Sequence, residues 1–219
     1  MIASLNPVEA RVLGALAEKA LTTPDYYPLS INALTNACNQ TTSRDPVVSF
    51  SDGVVMRALD SLREKKLAFQ FQGADSRVAR YGHRLVEALG LSRPETAVLC
   101  VLMLRGPQTV GEIRTRTGRM HEFSSLEEAE ACLSSLVSRP EDPLVARLPR
   151  KSGMKEQRFA HLLCGPVEQD AGEGAREPEG APERPADDRI VRLEQESAAL
   201  RSEVAELSRQ LAELRKLLE

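Results

Sequence analysis

The side chains in this sequence best suited to metal binding or nucleophilic chemistry are four cysteines and three histidines, and their spacing supports neither use. Cys38, Cys100, Cys132 and Cys164 lie far apart with no C-x-x-C pair, and Cys100 falls inside the apolar run "VLCVLML". That pattern fits small buried thiols in a reducing compartment. His83, His121 and His161 are equally scattered and form no ligand spacing of the H-E-x-x-H kind. There is also no phosphate-cradling Gly-rich loop with a Lys and no nucleophile elbow. The sequence therefore predicts a protein that is not an enzyme and carries neither a metal nor another cofactor.

What remains with concentrated chemistry is positive charge, which suits phosphate or an acidic partner. Arg114, Arg116, Arg119 and His121 crowd "EIRTRTGRMH", and Arg147, Arg150, Lys151, Lys155 and Arg158 crowd "RLPRKSGMKEQR". Earlier in the chain stand Arg44, Arg57, Arg63, Lys65, Lys66, Arg77 and Arg80. The polar stretch "ACNQTTSRDPVVSFSDG" adds Asn39, Gln40, Thr41 and Ser43 beside Arg44. Such runs equally describe a solvated face with no partner.

The elements that must position these groups come from an internal repeat. "LNPVEARVLGAL" (Leu5 to Leu16) matches "LSRPETAVLCVL" (Leu91 to Leu102), with Glu9 over Glu95, Val12 over Val98 and Leu13 over Leu99. Each opens on an N-cap candidate, Asn6 or Ser92, with Pro and Glu in the first turn. A short second helix follows in each half, "SINALTNAC" or "TVGEIRTRT", opened by Ser30 or Thr109. Third come "SDGVVMRALDSLREKK" and "SLEEAEACLSSLVSR", opened near Phe50-Ser51 and Phe123-Ser124. Each half then reads as a hairpin: "LAFQFQ" and "VARYGHRL" about the turn "GADSR", then "LVARLP" and "RFAHLL" about "RKSGMKEQ". Three helices and a hairpin make a winged helix-turn-helix, here in tandem. The fold class is mainly α with small β-hairpins (α+β), with domain 1 at residues 1–88 and domain 2 at 89–164.

Two segments follow. Residues 165–188, rich in Pro, Gly, Ala and acids with Val167 as the one large aliphatic, read as a disordered linker. Residues 189–219 show a seven-residue period: Ile190, Ser197, Val204, Leu211 and Leu218 on one seam, Leu193, Leu200, Leu207 and Leu214 on the other. This predicts a parallel two-stranded coiled coil and hence a homodimer, with Glu196 and Arg201 placed for an interchain pair. A lone amphipathic helix docking on its own domain is the alternative.

The stretches "LNPVEARVLGALAEKALTTPDYYPLSINALTNACNQTTSRDPV" and "LRGPQTVGEIRTRTGRMHEF" resemble the bacterial YceH-like family over about residues 2–163. The resemblance implies tandem winged-helix folds and no established activity, and the DNA-binding label attached to such proteins rests on fold alone.

With 219 residues, no Trp and 4% aromatics, the cores must be built from Leu, Val and Ala. No apolar run reaches the roughly 18 residues of a membrane span, so a cytoplasmic protein with no membrane partner is expected. The formal charge is −3. Residues 1–163 hold 21 Lys+Arg against 18 Asp+Glu, a balance of +3, and the remainder is acidic. That permits double-stranded DNA as a partner without requiring it.

Winged modules usually set the third helix in the major groove. In the first, Val55, Leu59 and Leu62 should face the core, leaving Gly53, Arg57, Asp60 and Glu64 outward. In the second, Leu126, Ala129, Leu133 and Leu136 should face inward, leaving Glu127, Glu128 and Glu130 outward, where acids repel phosphate. Two readings stand at this level: a DNA-binding, transcription-regulator-like protein, or an adaptor for a protein partner. Arg44 either reaches outward or is held locally by Asp45.

Overall fold

The computed structural model describes residues 4–72, 78–140, 142–150 and 156–166. The chain divides into two units, Met1–Gly172 and Glu173–Glu219. The described residues all belong to the first. The heptad segment and nearly all of the acidic linker lie outside the described residues, as do Arg77, Lys151 and Lys155.

Among the described residues the first unit is a mixed α and β structure with seven α-helices and two three-stranded antiparallel sheets. The first half runs α1 (Pro7–Thr22), β1 (Leu29–Ser30), α2 (Ile31–Cys38), α3 (Asp52–Glu64), β2 (Ala68–Phe71) and β3 (Arg80–His83). A short α4 (Leu85–Leu89) leads into the second: α5 (Arg93–Arg105), β4 (Gln108–Thr109), α6 (Val110–Thr117), α7 (Leu126–Val137), β5 (Val145–Arg147) and β6 (Arg158–His161). The sheet orders are β1-β3-β2 and β4-β6-β5. The repeat seen in the sequence is thus a repeat of topology.

Local chemistry sets these boundaries. Asn6 and Ser92 each close a capping box, accepting from the N–H of Glu9 or Glu95 while that carboxylate accepts from the cap N–H. Each box gains a long-range partner from the third helix of its half. Ser61 donates to Glu9 and Ser135 to Glu95, and Lys65 reaches Glu9 at 2.6 Å.

The hairpins expected from the sequence become three-stranded sheets because the residues before α2 and α6 pair as well. An N-cap residue must be extended. Ser30 sits at φ −70°, ψ 164° and Thr109 at φ −78°, ψ 165°. That geometry lets Leu29 and Ser30 pair with Tyr81 and Arg80, and Gln108 and Thr109 with Phe159 and Arg158.

The core is aliphatic. Val55, Leu59 and Leu62 of α3 and Leu133 and Leu136 of α7 are fully closed to solvent, each worth about 2 kcal/mol of burial. Helix α5 is buried from Thr96 to Leu104 and α1 from Glu9 to Ala17, as helices apolar around much of their circumference require. The two pack on one another. A Cβ at Gly14 would stand 3.1 Å from Leu104 and Met103, so glycine is what permits the close approach of α1 to α5. The Leu5 N–H also donates to the Leu163 carbonyl at 2.8 Å, tying the start of the first half to the end of the second.

Leu126 is a correction. It is 47% exposed, although its spacing from Ala129 and Leu133 places it on the apolar stripe. It is the first residue of α7, with Ser125 as the N-cap, and the buried stripe begins one turn later at Ala129.

Candidate functional site

The polar loop between α2 and α3 is held from inside. Arg44, expected as an outward contact or as a partner of Asp45, is neither. Its side chain has no exposed surface, and its guanidinium lies 2.6 Å from Glu18 of α1. It also donates to the Ala37 carbonyl at 2.8 and 3.1 Å and to Gln40 Oε1 at 2.9 Å. The loop leaves α2 and doubles back, so its carbonyls point inward, and a buried guanidinium with five donors satisfies several at once.

Arg11, which spacing along α1 did not single out, does the same nearby, donating to the carbonyls of Cys38 at 3.2 Å and Pro46 at 2.6 Å. Asn39 closes the loop. Its side-chain amide donates to the Phe50 carbonyl and accepts from the Phe50 N–H, both at 2.8 Å. Asn39, Gln40 and Arg44 are therefore spent on loop structure. Thr41 and Ser43 remain exposed.

Several further candidates are also engaged by the protein itself. Lys65 is bound to Glu9 and to the Ser4 carbonyl, and Arg63 pairs with Asp60 at 3.1 Å. Arg80 donates to the Pro28 carbonyl at 3.0 Å. Arg114 leans on the carbonyls of Phe123 and Ser124 at 3.4 Å, and Arg116 pairs with Glu112 at 3.3 Å. His121 stacks edge-on against Phe123 and stands 3.9 Å from Glu128. Arg57, Lys66, Arg119 and Arg150 are exposed.

The outward faces of the third helices follow the sequence pattern. Gly53, Arg57, Asp60 and Glu64 of α3 and Glu127, Glu128 and Glu130 of α7 are exposed. Glu128 accepts from the Ser124 N–H at 2.7 Å and from its hydroxyl at 2.6 Å, and these bonds hold its carboxyl below the ordinary range. Glu127 is lowered chiefly by its bond to the Ser125 side chain. The start of α7 is anionic, with the bare Leu126 beside it.

The thiols are poor nucleophiles. Burial pushes Cys38 and Cys132 up to about 12, and raises Cys100 and Cys164 as well. Cys38 and Cys100 are buried as expected, but Cys132 is half-buried and Cys164 exposed.

The structure brings together one group of cations that the linear runs did not reveal. Arg116 and Arg119, at the end of α6, share a cleft with Lys19 of α1 and Arg105 at the end of α5. Ser43 and Gln40 of the polar loop form another wall. Lys19 and Arg105 each lie far along the helix from its other basic residue, Arg11 or Arg93, so no local charge run marked them.

Residues 5–154 match the family model described as "Protein of unknown function, DUF480". Curated relatives carry the name UPF0502 protein. The one from Opitutus terrae is 56% identical over 197 residues, 90% of this chain and 83% of its own length. Its counterpart from Pelobacter propionicus is 54% identical over 207 residues, 94% of each chain. A Vibrio vulnificus relative is 45% identical over 212 residues. The chain belongs to the UPF0502 family. The YceH-like resemblance seen in the sequence is to an uncharacterised family of this kind, and the DUF480 family-model match takes in α1 to β5 together with every described candidate cation except Arg158.

Proposed function

We propose that this UPF0502 chain is a non-enzymatic cytoplasmic adaptor: two tandem winged helices that offer the third-helix faces to a protein partner, paired into a homodimer by the C-terminal heptads. The observation that supports it is the start of α7, where Leu126 lies bare beside Glu127 and Glu130. An apolar anchor framed by carboxylates suits a basic protein surface and repels a phosphate backbone. The spending of Arg44, Lys65 and Arg63 on internal partners points the same way. A coil would present two copies of the unit to a bivalent partner.

Double-stranded DNA is the second reading, favoured by the exposed Arg57, Lys66, Arg147 and Arg150. Fluorescence anisotropy with a labelled duplex separates the two. The adaptor reading expects no retention at low salt. Binding that falls steeply with added salt and disappears in Arg150→Glu/Lys151→Glu would overturn it in favour of DNA.

A further inference from the structure

The cleft between the ends of α1, α5 and α6 is an open pocket of about 120 Å³, with Thr42, Ser43 and Arg119 exposed along its walls. Its charged lining is four cations against one carboxylate, Glu18. Lys19, Arg105, Arg116 and Arg119 line it, with Arg44 behind them against Glu18.

The ordinary explanation is that cations collect at helix C-termini, where carbonyls carry partial negative charge. Lys19 and Arg105 do lie in the last turns of α1 and α5, and Arg116 in that of α6. The balance does not close on that basis. Each helix end supplies only about half a negative charge, and of the nearby carboxylates Glu18 is shared by Arg44 and Lys19 and Glu112 is held by Arg116. With Asp45, whose charge also favours the charged form of Arg105, five cations against three carboxylates and three helix ends leave a surplus of about half a positive charge. Among the described residues, neither Arg105 nor Arg119 makes a side-chain hydrogen bond or ion pair. Burial, and then the charges of Arg116 and Arg44, disfavour the charged form of Arg105.

The other walls complete a receptor. Thr42 and Ser43 bring hydroxyls from the polar loop, and Val101, Leu104 and Met120 form an apolar floor. Ser43 holds the left-handed conformation at φ 62°, a strained geometry for a residue with a side chain and one found at ligand clamps. The loop is pinned there by the Asp45 N–H, which donates to the Leu104 carbonyl at 2.9 Å.

We propose that this cleft binds the phosphoryl dianion of a small metabolite, with Arg105 and Arg119 as its principal ligands and the hydroxyls of Thr42 and Ser43 as donors. The apolar floor takes the carbon body of a phosphate monoester. The walls come from both repeats, so the ligand bridges them.

The test uses the full chain and calorimetric titration with inorganic phosphate and with glycerol 3-phosphate, each against chloride at matched ionic strength. Saturable binding at one site per chain is expected, weakened at least about tenfold in Arg119→Ala and unchanged in Arg57→Ala, which lies outside the cleft. Tighter binding of the ester identifies a phosphomonoester as the source, and equal binding identifies free phosphate. Arg119 is exposed, so its loss leaves the fold intact. No saturable heat beyond the chloride control, or equal binding by wild type and Arg119→Ala, would overturn the proposal.

Discussion

Arg44 lies across Glu18 with its guanidinium nitrogens 2.6 and 3.1 Å from the two carboxylate oxygens, and this pair fixes the α2–α3 loop to α1. Removing one member of a buried, hydrogen-bonded ion pair strands the other, together with the carbonyls of Ala37 and Ser43. Arg44→Ala should therefore lower unfolding stability by about 3–5 kcal/mol. Asp45→Ala, at an exposed neighbour, should cost under about 0.5 kcal/mol. Chemical denaturation of both variants checks this, and equal losses would show that Asp45 is the lock after all.

That pair also shows where reading the sequence stops. Helix starts were legible because capping is local: Asn6, Ser30, Ser92 and Thr109 each sit three residues before the N–H they accept. The core faces of α3 and, from Ala129 onward, of α7 were legible because periodicity is local too. Arg44 and Glu18 are 26 positions apart, so no spacing rule relates them, and an Arg beside an Asp suggests the nearer acid. The cation cleft was hidden for the same reason, with Lys19, Arg105 and Arg119 drawn from three helix ends. Strands β1 and β4, two residues each, were absorbed into the caps they precede.

Two groups should shape stability in acid. Burial pushes Glu9 upward, but the bonds from Lys65, Ser61 and the Asn6 N–H outweigh it, and its carboxyl falls below the ordinary value. A group lowered on folding contributes stability above its unfolded pKa, and that contribution is lost as pH falls through the folded one. Glu9→Gln should cost about 1–2 kcal/mol at neutral pH and flatten the acid limb below about 4.5. A stability–pH profile of the variant parallel to that of wild type would rule the network out as a source of acid sensitivity.

His161 acts over a different window. Burial lowers it to about 4, and its Nδ1 has no hydrogen-bond partner. The folded form holds it neutral while the unfolded chain protonates it near 6.5, so stability should rise with pH between about 4 and 6.5. His161→Phe should remove that slope, read from urea midpoints across the window. An unchanged slope would assign it to other groups, such as His83, which burial also lowers.

Lys66 offers a substitution that gains stability. It follows the C-cap of α3 with φ 59°, a left-handed position where glycine carries no Cβ penalty. Lys66→Gly should raise stability by up to about 1 kcal/mol while deleting one exposed cation. Duplex affinity, if any exists, would fall slightly and its salt dependence would ease by about one charge. A loss of stability would mean that the lysine side chain contributes more packing than its exposure indicates.

Leu126 separates folding from partner binding. Its side chain stands clear of the buried stripe of α7 that begins at Ala129, so Leu126→Asp should change stability by no more than about 0.5 kcal/mol. The N-terminal turn even tolerates an added acid through the helix dipole. If the start of α7 is an interaction anchor, the same substitution should weaken capture of a partner from nuclease-treated lysate by at least about tenfold. Glu130→Lys, one turn along the same exposed face, should weaken it less, because rim charges act mainly on association rate. Capture that is indifferent to Leu126 would move the interface away from α7, and capture that vanishes with nuclease would return the case to nucleic acid.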